Sequence, residues 1–300
     1  MARSLRFGLV GTGHWARITY APALASTEGI EFAAVWGRNA DTAAGLAAGY
    51  HVTAHRDLPE FLDGVDAVAF AVPPDVQAPI AIRAARAGKH LLLEKPVAVT
   101  AADADALADA VAQARVASVV FFTARFQADV RAWEAEVTAA GGWAGGCAVW
   151  LGSAWQPGSP FNTPWRRDKG ALWDLGPHVI SLLWASLGPV RSVTARAGRA
   201  DITHLVLRHD SGVTSTATVT LDAPESAEFN ELFLWGPAGR SAAPVETPDP
   251  VTPLRTALAE LAANARSGQV SHPCDARFGR DVVQVLADAE RQIGARPGPP

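Results

Sequence analysis

The sequence predicts an α/β Rossmann-type domain with a doubly wound parallel sheet, followed by an α+β domain with a large, mainly antiparallel, open-faced sheet. Two observations support this fold class. Short apolar runs alternate with alanine-rich stretches of helical length in the first part of the chain, which is typical of repeated βα units. Beyond that part, β-branched alternation replaces the βα rhythm and tryptophan becomes frequent. We therefore predict domains at residues 1–125 and 126–300.

The first domain is predicted to contain five parallel strands joined by helices. A helix from Asp75 closes at Gly88, and another follows Thr100, whose Thr-Ala-Ala-Asp sequence resembles a capping box. Parallel strands need such helical crossovers. The predicted strands are residues 6–10, 32–36, 67–72, 90–94 and 117–122.

The second domain is predicted to contain strands followed by a loop and two amphipathic helices. The strands are residues 192–197, 203–208 and 213–221, and the proline-rich stretch 243–253 is predicted as a long loop. The closing helices are residues 254–265 and 281–293, and the tail 295–300 is expected to be frayed.

Composition and charge exclude several classes of protein. The 300 residues are 49% hydrophobic, which is enough for one or two substantial cores. With 26 Lys+Arg against 30 Asp+Glu the net charge is −4, and no basic run is present, so nucleic acid is not expected as a partner. The apolar stretches 67–72 and 116–122 are far shorter than the roughly 18 residues of a membrane span.

The two cysteines and the first residues indicate the cytoplasm. Cys147 and Cys274 lie far apart and outside any CxxC or Cys/His spacing, which predicts two free thiols and no metal site. The start of the chain leads directly into a strand-like run and does not resemble a signal peptide.

A glycine-rich turn follows the first strand. Residues 11–16 read GTGHWA, a GxGxxA pattern between a strand and a helical stretch. Gly11 permits a tight turn, Gly13 lets a pyrophosphate approach the backbone, and the following helix start favours an anion. The predicted dinucleotide contacts here are Gly11, Thr12, Gly13, His14 and Trp15. The alternative is a purely structural turn.

The end of the second strand indicates which dinucleotide binds. NAD-binding relatives of this motif carry an acidic residue there, whereas here Trp36 is followed by Gly37 and Arg38. A small residue followed by arginine leaves room for a 2′-phosphate and supplies a planar cation, so the pattern favours NADP. The alternative is an arginine stacked on adenine in an NAD enzyme.

Lys95 lies at the carboxyl end of the strand at residues 90–94, where open α/β sheets bind ligands. Only three lysines occur in the sequence, Lys89, Lys95 and Lys169. An ammonium group at a strand end can donate a hydrogen bond to a substrate oxygen. The alternative is a solvated surface lysine.

Asp174 and His178 form a second chemical pair, with Gly176 and Pro177 between them. A helix is predicted to start near Pro177, which places His178 in its first turn and Asp174 just before it. Such a histidine can exchange protons near neutrality. The alternative is a capped helix end without catalytic function.

Four segments resemble the Gfo/Idh/MocA family, which includes glucose-fructose oxidoreductase and inositol dehydrogenase. The sequence AGKHLLLEKP at residues 87–96 is similar to the family signature AGKHVxxEKP. The other three are GLVGTGHWA at 8–16, the pair Arg125-Phe126, and Trp165-Arg166 followed by GALWDLGPH at 170–178. They occur in the order expected for the family.

The resemblance implies roles for individual residues. Lys95 would hydrogen-bond the reacting oxygen, His178 would act as general acid or base, and Asp174 would orient the substrate or the histidine. Further cofactor contacts implied by the resemblance are Pro73, Gln77, Glu94, Trp165 and Arg166. The alternative for Trp165 and Arg166 is a role at the domain interface. The sequence departs from the family at 72–77, where Thr-Pro-Asn and a later histidine are replaced by Val-Pro-Pro and Gln77, and at 169–171, where a glycine run is reduced.

The implied activity is hydride transfer by an NAD(P)-dependent oxidoreductase between nicotinamide and an alcohol or carbonyl carbon of a sugar, polyol or related small molecule. Eight tryptophans in the second domain offer flat faces to such substrates, although core or subunit packing explains most of them better. Two alternatives are an NAD-dependent glycosidase that retains its cofactor and a non-catalytic dinucleotide or sugar sensor. The resemblance also implies a homodimer or homotetramer.

Overall fold

The computed structural model describes residues 4–245 and 249–294. Its contacts divide the chain into two units. The first unit takes in the chain up to Phe126 together with Asp249–Arg280, and the second takes in the segment between them and the chain from Asp281 onward.

A six-stranded parallel sheet forms the centre of the first unit. Its strand order is β3-β2-β1-β4-β5-β6, with every neighbouring pair parallel, as in a doubly wound Rossmann sheet. The strands are β1 (Leu5–Val10), β2 (Ile30–Trp36), β3 (Thr53–His55), β4 (Ala67–Phe70), β5 (His90–Glu94) and β6 (Ser118–Phe121). The five predicted strands are confirmed to within two residues at each end. The sequence analysis missed β3, because it has three residues and lies at the sheet edge.

Helices connect these strands, and side-chain caps mark several of their starts. The helices are α1 (Ala21–Ser26), which follows a π-type turn at Ala16–Tyr20, α2 (Ala40–Tyr50), α3 (Leu58–Asp63), α4 (Pro74–Arg86) and α5 (Ala101–Ala114). Thr100 caps α5 as predicted, since its hydroxyl oxygen accepts the Asp103 N–H at 3.1 Å. The predicted helix between Asp75 and Gly88 is α4.

The helix α9 (Val251–Ser267) belongs to the first unit, whereas the sequence analysis placed all residues beyond 125 in a second domain. Its buried face contacts α1, β5 and β6. That face contains Leu254, Ala257, Leu258, Leu261 and Ala262. An amphipathic pattern shows that one face of a helix is buried, but it does not show which sheet covers it.

A mainly antiparallel six-stranded sheet forms the second unit, with order β12-β11-β7-β10-β9-β8, in which only β7 and β10 are parallel. The predicted strands are confirmed as β8 (Val190–Ala197), β9 (Thr203–His209) and β10 (Thr214–Thr220). The strands β7 (Gly145–Leu151), β11 (Phe229–Gly236) and β12 (Gly239–Ala242) were not predicted.

One face of this sheet packs on helices and the other is exposed within the second unit. Buried and exposed residues alternate strictly along β9, and α8 (Gly176–Leu187) lies against β7 and β10. The other helices are α6 (Ala128–Ala140), α7 (Pro164–Asp174) and α10 (Ala276–Ile293), whose residues from Asp281 belong to this unit. Gln292 covers the sheet edge, since its amide bonds the Val193 carbonyl at 2.8 Å and the Ala195 N–H at 3.0 Å.

The proline-rich segment is shorter than the predicted loop at 243–253. Helix α9 begins at Val251 and includes Pro253 in its first turn, where a missing N–H costs nothing. The predicted frayed tail at 295–300 lies outside the described residues. No helix in the described part of the chain is long and apolar enough to cross a membrane. Cys147 and Cys274 are free thiols, as predicted.

Candidate functional site

The glycine turn after β1 leaves backbone exposed at the start of a helix. Gly11 has φ +126°, and a Cβ on it would lie 2.4 Å from the carbonyl oxygen of Ala71, so only glycine fits. Its N–H donates to the Trp36 carbonyl at 3.0 Å, which ties the turn to the end of β2. Gly13 is exposed, and a Cβ there would have no neighbour within 4 Å. This bare backbone at a helix start fits the diphosphate of a dinucleotide.

The end of β2 lies next to the same turn. A Cβ added to Gly37 would lie only 2.9 Å from the Thr12 methyl group, so Gly37 packs closely against the glycine turn. Arg38 follows and is exposed. Asn39, which the sequence analysis did not single out, caps α2 by accepting the N–H groups of Asp41 and Thr42 at 3.0 Å each. Arg38 is therefore held between a packed glycine and a helix cap, with its side chain facing solvent.

Glu94, the last residue of β5, binds the helical segment after the glycine turn. Its Oε1 accepts the Trp15 indole N–H at 2.6 Å and the Tyr20 hydroxyl at 2.9 Å, and its Oε2 accepts the Lys95 N–H at 3.0 Å. Burial raises the pKa of Glu94, while the Lys95 ammonium and these hydrogen bonds oppose the shift. Burial and the Glu94 charge raise the pKa of Tyr20. The sequence analysis missed Tyr20 because no local motif marks it.

Gln77 supports the strand end that carries Lys95. Its side chain is 0% exposed, and its Nε2 donates to the Glu94 carbonyl at 2.8 Å while its Oε1 accepts the Glu94 N–H at 2.7 Å. The resemblance implied a cofactor contact for Gln77, and in the structure its side-chain amide bonds the buried backbone of Glu94. Pro73 stands at the start of α4, and its carbonyl accepts the Gln77 N–H at 2.9 Å.

Asp174 and Arg166 form an ion pair in the second unit. The Arg166 Nε donates to Asp174 Oδ2 at 2.7 Å, and the two side chains are 18% and 7% exposed. The guanidinium also lies 4.7 Å from the ring centre of Trp165 and 5.5 Å from that of Phe161. The resemblance implied that Trp165 and Arg166 contact the cofactor, and within this unit Arg166 neutralises Asp174.

A backbone kink separates these two ion-pair partners along α7. Gly170 has φ +63° and ψ −164°, a conformation that breaks the helix between Arg166 and Asp174. Helix α8 begins at Gly176 and has proline in its first turn, which confirms the predicted start. Asp174 is the last residue of α7 and so lies just before α8, as predicted. The buried His178 stacks on Trp150, with ring centres 5.3 Å apart and planes at 25°.

The predicted residues form two groups. The glycine turn, Glu94 and Lys95 belong to the first unit, and Arg166, Asp174 and His178 belong to the second. Lys95 is partly exposed, whereas Asp174 and His178 are buried within the described structure. No cluster of three or more His, Cys, Asp or Glu side chains suited to a metal ion occurs among the described residues.

The fold and the glycine turn define a Rossmann-type dinucleotide-binding protein. Residues 5–122 match the model of the oxidoreductase family with an NAD-binding Rossmann fold, and residues 105–241 match the GFO/IDH/MocA C-terminal domain. Together the two matches run through most of the chain. This protein belongs to the Gfo/Idh/MocA family of oxidoreductases, as the motifs indicated.

Relatives and solved structures agree with this assignment. An uncharacterized oxidoreductase, YdgJ of Escherichia coli K12, is 27% identical over 245 residues, which are 76% of this chain and 69% of that protein. The dTDP-3,4-didehydro-2,6-dideoxy-alpha-D-glucose 3-reductase of Streptomyces violaceoruber is 31% identical over 70% of this chain and 59% of that protein. GenD2 from gentamicin A biosynthesis, solved with NAD, superposes with a TM-score of 0.85 at 21% identity over 97% of this chain and 95% of that chain.

Proposed function

We propose that this protein transfers a hydride between a nicotinamide dinucleotide and a hydroxyl or carbonyl carbon of a sugar, polyol or related small molecule. The observation that carries the proposal is the strand end at Glu94 and Lys95, whose backbone and carboxylate are fixed by Gln77 and by the helix after the glycine turn. A lysine presented at the carboxyl end of a parallel strand lies at the edge where such sheets bind ligands. Sugar-nucleotide reduction by the Streptomyces relative supports the substrate class.

The chain's own residues divide the chemical work. The nicotinamide, when bound, accepts or donates the hydride. We assign to the Lys95 ammonium a hydrogen bond to the substrate oxygen, which stabilises negative charge developing there. His178 gives or takes the proton on that oxygen, and Asp174 orients the substrate or the imidazole. Arg166 pairs with Asp174 at 2.7 Å and so compensates the carboxylate charge.

We further propose that NADP is preferred to NAD, since β2 ends in Gly37 and Arg38 with no carboxylate at that position. Arg38 is exposed and follows a residue that packs on the glycine turn. A planar guanidinium suits the 2′-phosphate. GenD2 and an oxidoreductase from Agrobacterium radiobacter, both similar in fold, were solved with NAD, so NAD is the alternative cofactor.

The cofactor proposal is tested by fluorescence titration of NADPH and NADH with wild type, Arg38→Ala and a control, Arg56→Ala, which removes another exposed arginine of the first unit. We expect NADPH to bind more tightly to wild type and to Arg56→Ala, and Arg38→Ala to erase the difference. Equal affinities in wild type would contradict the NADP preference. If neither dinucleotide binds, denaturing extraction shows whether the protein already holds a tightly bound cofactor, as a cofactor-retaining glycosidase would, or holds none.

The catalytic proposal is tested with Lys95→Ala and a control, Lys89→Ala, which removes the nearby lysine whose ammonium donates to the Val65 carbonyl at 3.0 Å. In a screen of sugars and polyols with NADP and NAD, we expect Lys95→Ala to lose turnover about 100-fold or more while dinucleotide binding is kept. Lys89→Ala should retain turnover. Unchanged function in Lys95→Ala would favour a sensor.

We propose that the protein is a homodimer or homotetramer. The second sheet exposes large apolar side chains, Val206 at 41%, Phe229 at 49% and Trp235 at 40%. Sedimentation equilibrium measures the assembly directly, and a monomer at micromolar concentration would contradict it. The cytoplasmic location stays a prediction, supported by the free thiols of Cys147 and Cys274.

A further inference from the structure

A buried carboxylate lies in the turn between β8 and β9, outside the residues discussed so far. Asp201 is 1% exposed and accepts two backbone N–H groups. Its two oxygens lie 3.2 and 3.0 Å from the Ala171 nitrogen, and its Oδ2 lies 3.0 Å from the Leu221 nitrogen. The preceding residue, Ala200, has φ +52°, a left-handed conformation that is unfavourable for alanine. Burying a carboxylate and holding an alanine at positive φ both cost free energy, which indicates that the fold requires the Asp201 carboxylate at this position.

The first contact fixes the helical turn that carries Asp174. Ala171 comes directly after the kink at Gly170, and its carbonyl accepts the Leu175 N–H at 2.8 Å, so it begins a new helical turn. The first N–H groups of a helix have no partner within the helix. Asp201 supplies that partner and thereby determines where the turn after the kink begins.

The second contact reaches the other side of the kink. The Leu221 carbonyl accepts the Trp155 N–H at 2.9 Å, and the Trp155 indole donates to the Arg166 carbonyl at 3.2 Å. Asp201 therefore bonds to the segment on which Asp174 lies and, through Leu221 and Trp155, to the segment on which Arg166 lies. Because Gly170 has non-helical φ and ψ angles between the two segments, this bridge connects them across the kink.

We infer that Asp201 is a positioning residue that holds Arg166 and Asp174 in register for pairing and so fixes the segment leading to His178. The inference rests on the proposed function for its catalytic consequence. Asp201 accepts the backbone N–H groups of Ala171 and Leu221, and its effect on the reaction passes through Asp174.

Hydrogen exchange followed by mass spectrometry tests the positioning without any substrate. In Asp201→Ala we expect exchange in peptides covering 165–180 and 215–223 to accelerate about tenfold or more, because two buried N–H groups lose their acceptor. The matched control is Asp57→Ala, which removes the cap on α3, where Asp57 accepts the Glu60 N–H at 3.1 Å. The control should accelerate exchange near 57–64 and leave 165–180 unchanged.

Kinetics supply the second measurement. For a substrate that wild type turns over, Asp201→Ala should lower kcat about tenfold with unchanged dinucleotide affinity, whereas Asp57→Ala should leave kcat unchanged. If wild type turns over no substrate, the proposed function fails while the exchange result still decides the positioning.

Exchange in 165–180 that is unchanged, or that rises equally throughout the chain, overturns the inference. Asp201→Asn keeps one carbonyl acceptor, so we expect a smaller acceleration confined to the same two regions. Should Asp201→Ala fail to fold, the Asp201→Asn result decides: a local acceleration supports positioning, and an unchanged or uniform pattern overturns it.

Discussion

Replacing Arg166 with methionine should destabilise the second unit because it leaves the Asp174 carboxylate buried without its cation. The pair is 2.7 Å apart, and the Asp174 side chain is only 7% exposed. Removing one partner of a buried ion pair costs about 3–5 kcal/mol. Since the Arg166 side chain is 18% exposed and solvent screens part of the attraction, we expect about 2–4 kcal/mol here. Methionine keeps most of the aliphatic contact, so the loss reports mainly the charge.

Urea unfolding followed by tryptophan fluorescence is the suitable assay. The protein has ten tryptophans, and all except Trp15 and Trp36 lie beyond residue 126, so the signal reports chiefly the second unit. A cycle of Arg166→Met, Asp174→Asn and the double variant isolates the pairing energy. The double variant should be more stable than the sum of the two single effects predicts, by about 1–3 kcal/mol.

Arg167→Met is the control for the loss of an arginine side chain. Arg167 is exposed, and its guanidinium bonds Asn162 and the Trp155 carbonyl at 2.7 Å each. We expect it to cost about 1 kcal/mol or less. Equal losses in Arg166→Met and Arg167→Met, or strictly additive effects in the cycle, would refute the buried-pair argument. Unchanged NADPH and NADH affinity in Arg166→Met would separate this role from the cofactor contact that the resemblance implied.

Three further predictions concern the glycine turn, the Lys95 support and the pH dependence of stability. In thermal unfolding, Gly11→Ala should lower the free energy of unfolding by about 2 kcal/mol or more and lose dinucleotide binding, because its Cβ would lie 2.4 Å from a carbonyl oxygen. Gly13→Ala, whose Cβ would enter open space, should keep wild-type stability in that assay but bind dinucleotide more weakly. Gln77→Leu should cost about 2–3 kcal/mol and lower kcat, since the Glu94 N–H loses its acceptor at 2.7 Å; wild-type stability by circular dichroism melting would count against this. Burial lowers the pKa of His209, so the unfolded chain binds its proton first: this contribution to stability is complete above about pH 6.5 and is lost as the pH falls below it. Urea midpoints between pH 5 and 8 should therefore fall toward acid, less steeply in His209→Gln, and an identical slope in that variant would exclude His209 as a source.

Local patterns predicted much of the first unit. The strand β5 has the predicted bounds, and Thr100 caps α5 as its sequence indicated. Both depend on residues within a few positions of each other, namely a run of leucines between polar ends and a hydroxyl three residues before an acid. The strands β7 and β12 were missed because glycine in β7 and the short, exposed β12 weaken the alternation that identifies a strand.

The contacts that the candidate residues make were not predictable from the motifs that single those residues out. Motifs identified Glu94, Lys95, Asp174 and His178 as residues of interest, yet they did not show that Glu94 holds Trp15 and Tyr20. Those contacts join residues more than seventy positions apart. No local period encodes such a distance, because it depends on which strand ends and helix starts become neighbours.

The sequence by itself determined the order of βα units, the glycine turn, the helix start before His178 and the family, because each is written in adjacent residues. The tertiary structure alone decided that α9 covers the first sheet, that Gln77 supports a strand end, that Arg166 neutralises Asp174 across a kink and that Asp201 bridges that kink. The physical reason is that a buried polar group must be paired, while its partner is chosen by the packing of distant elements.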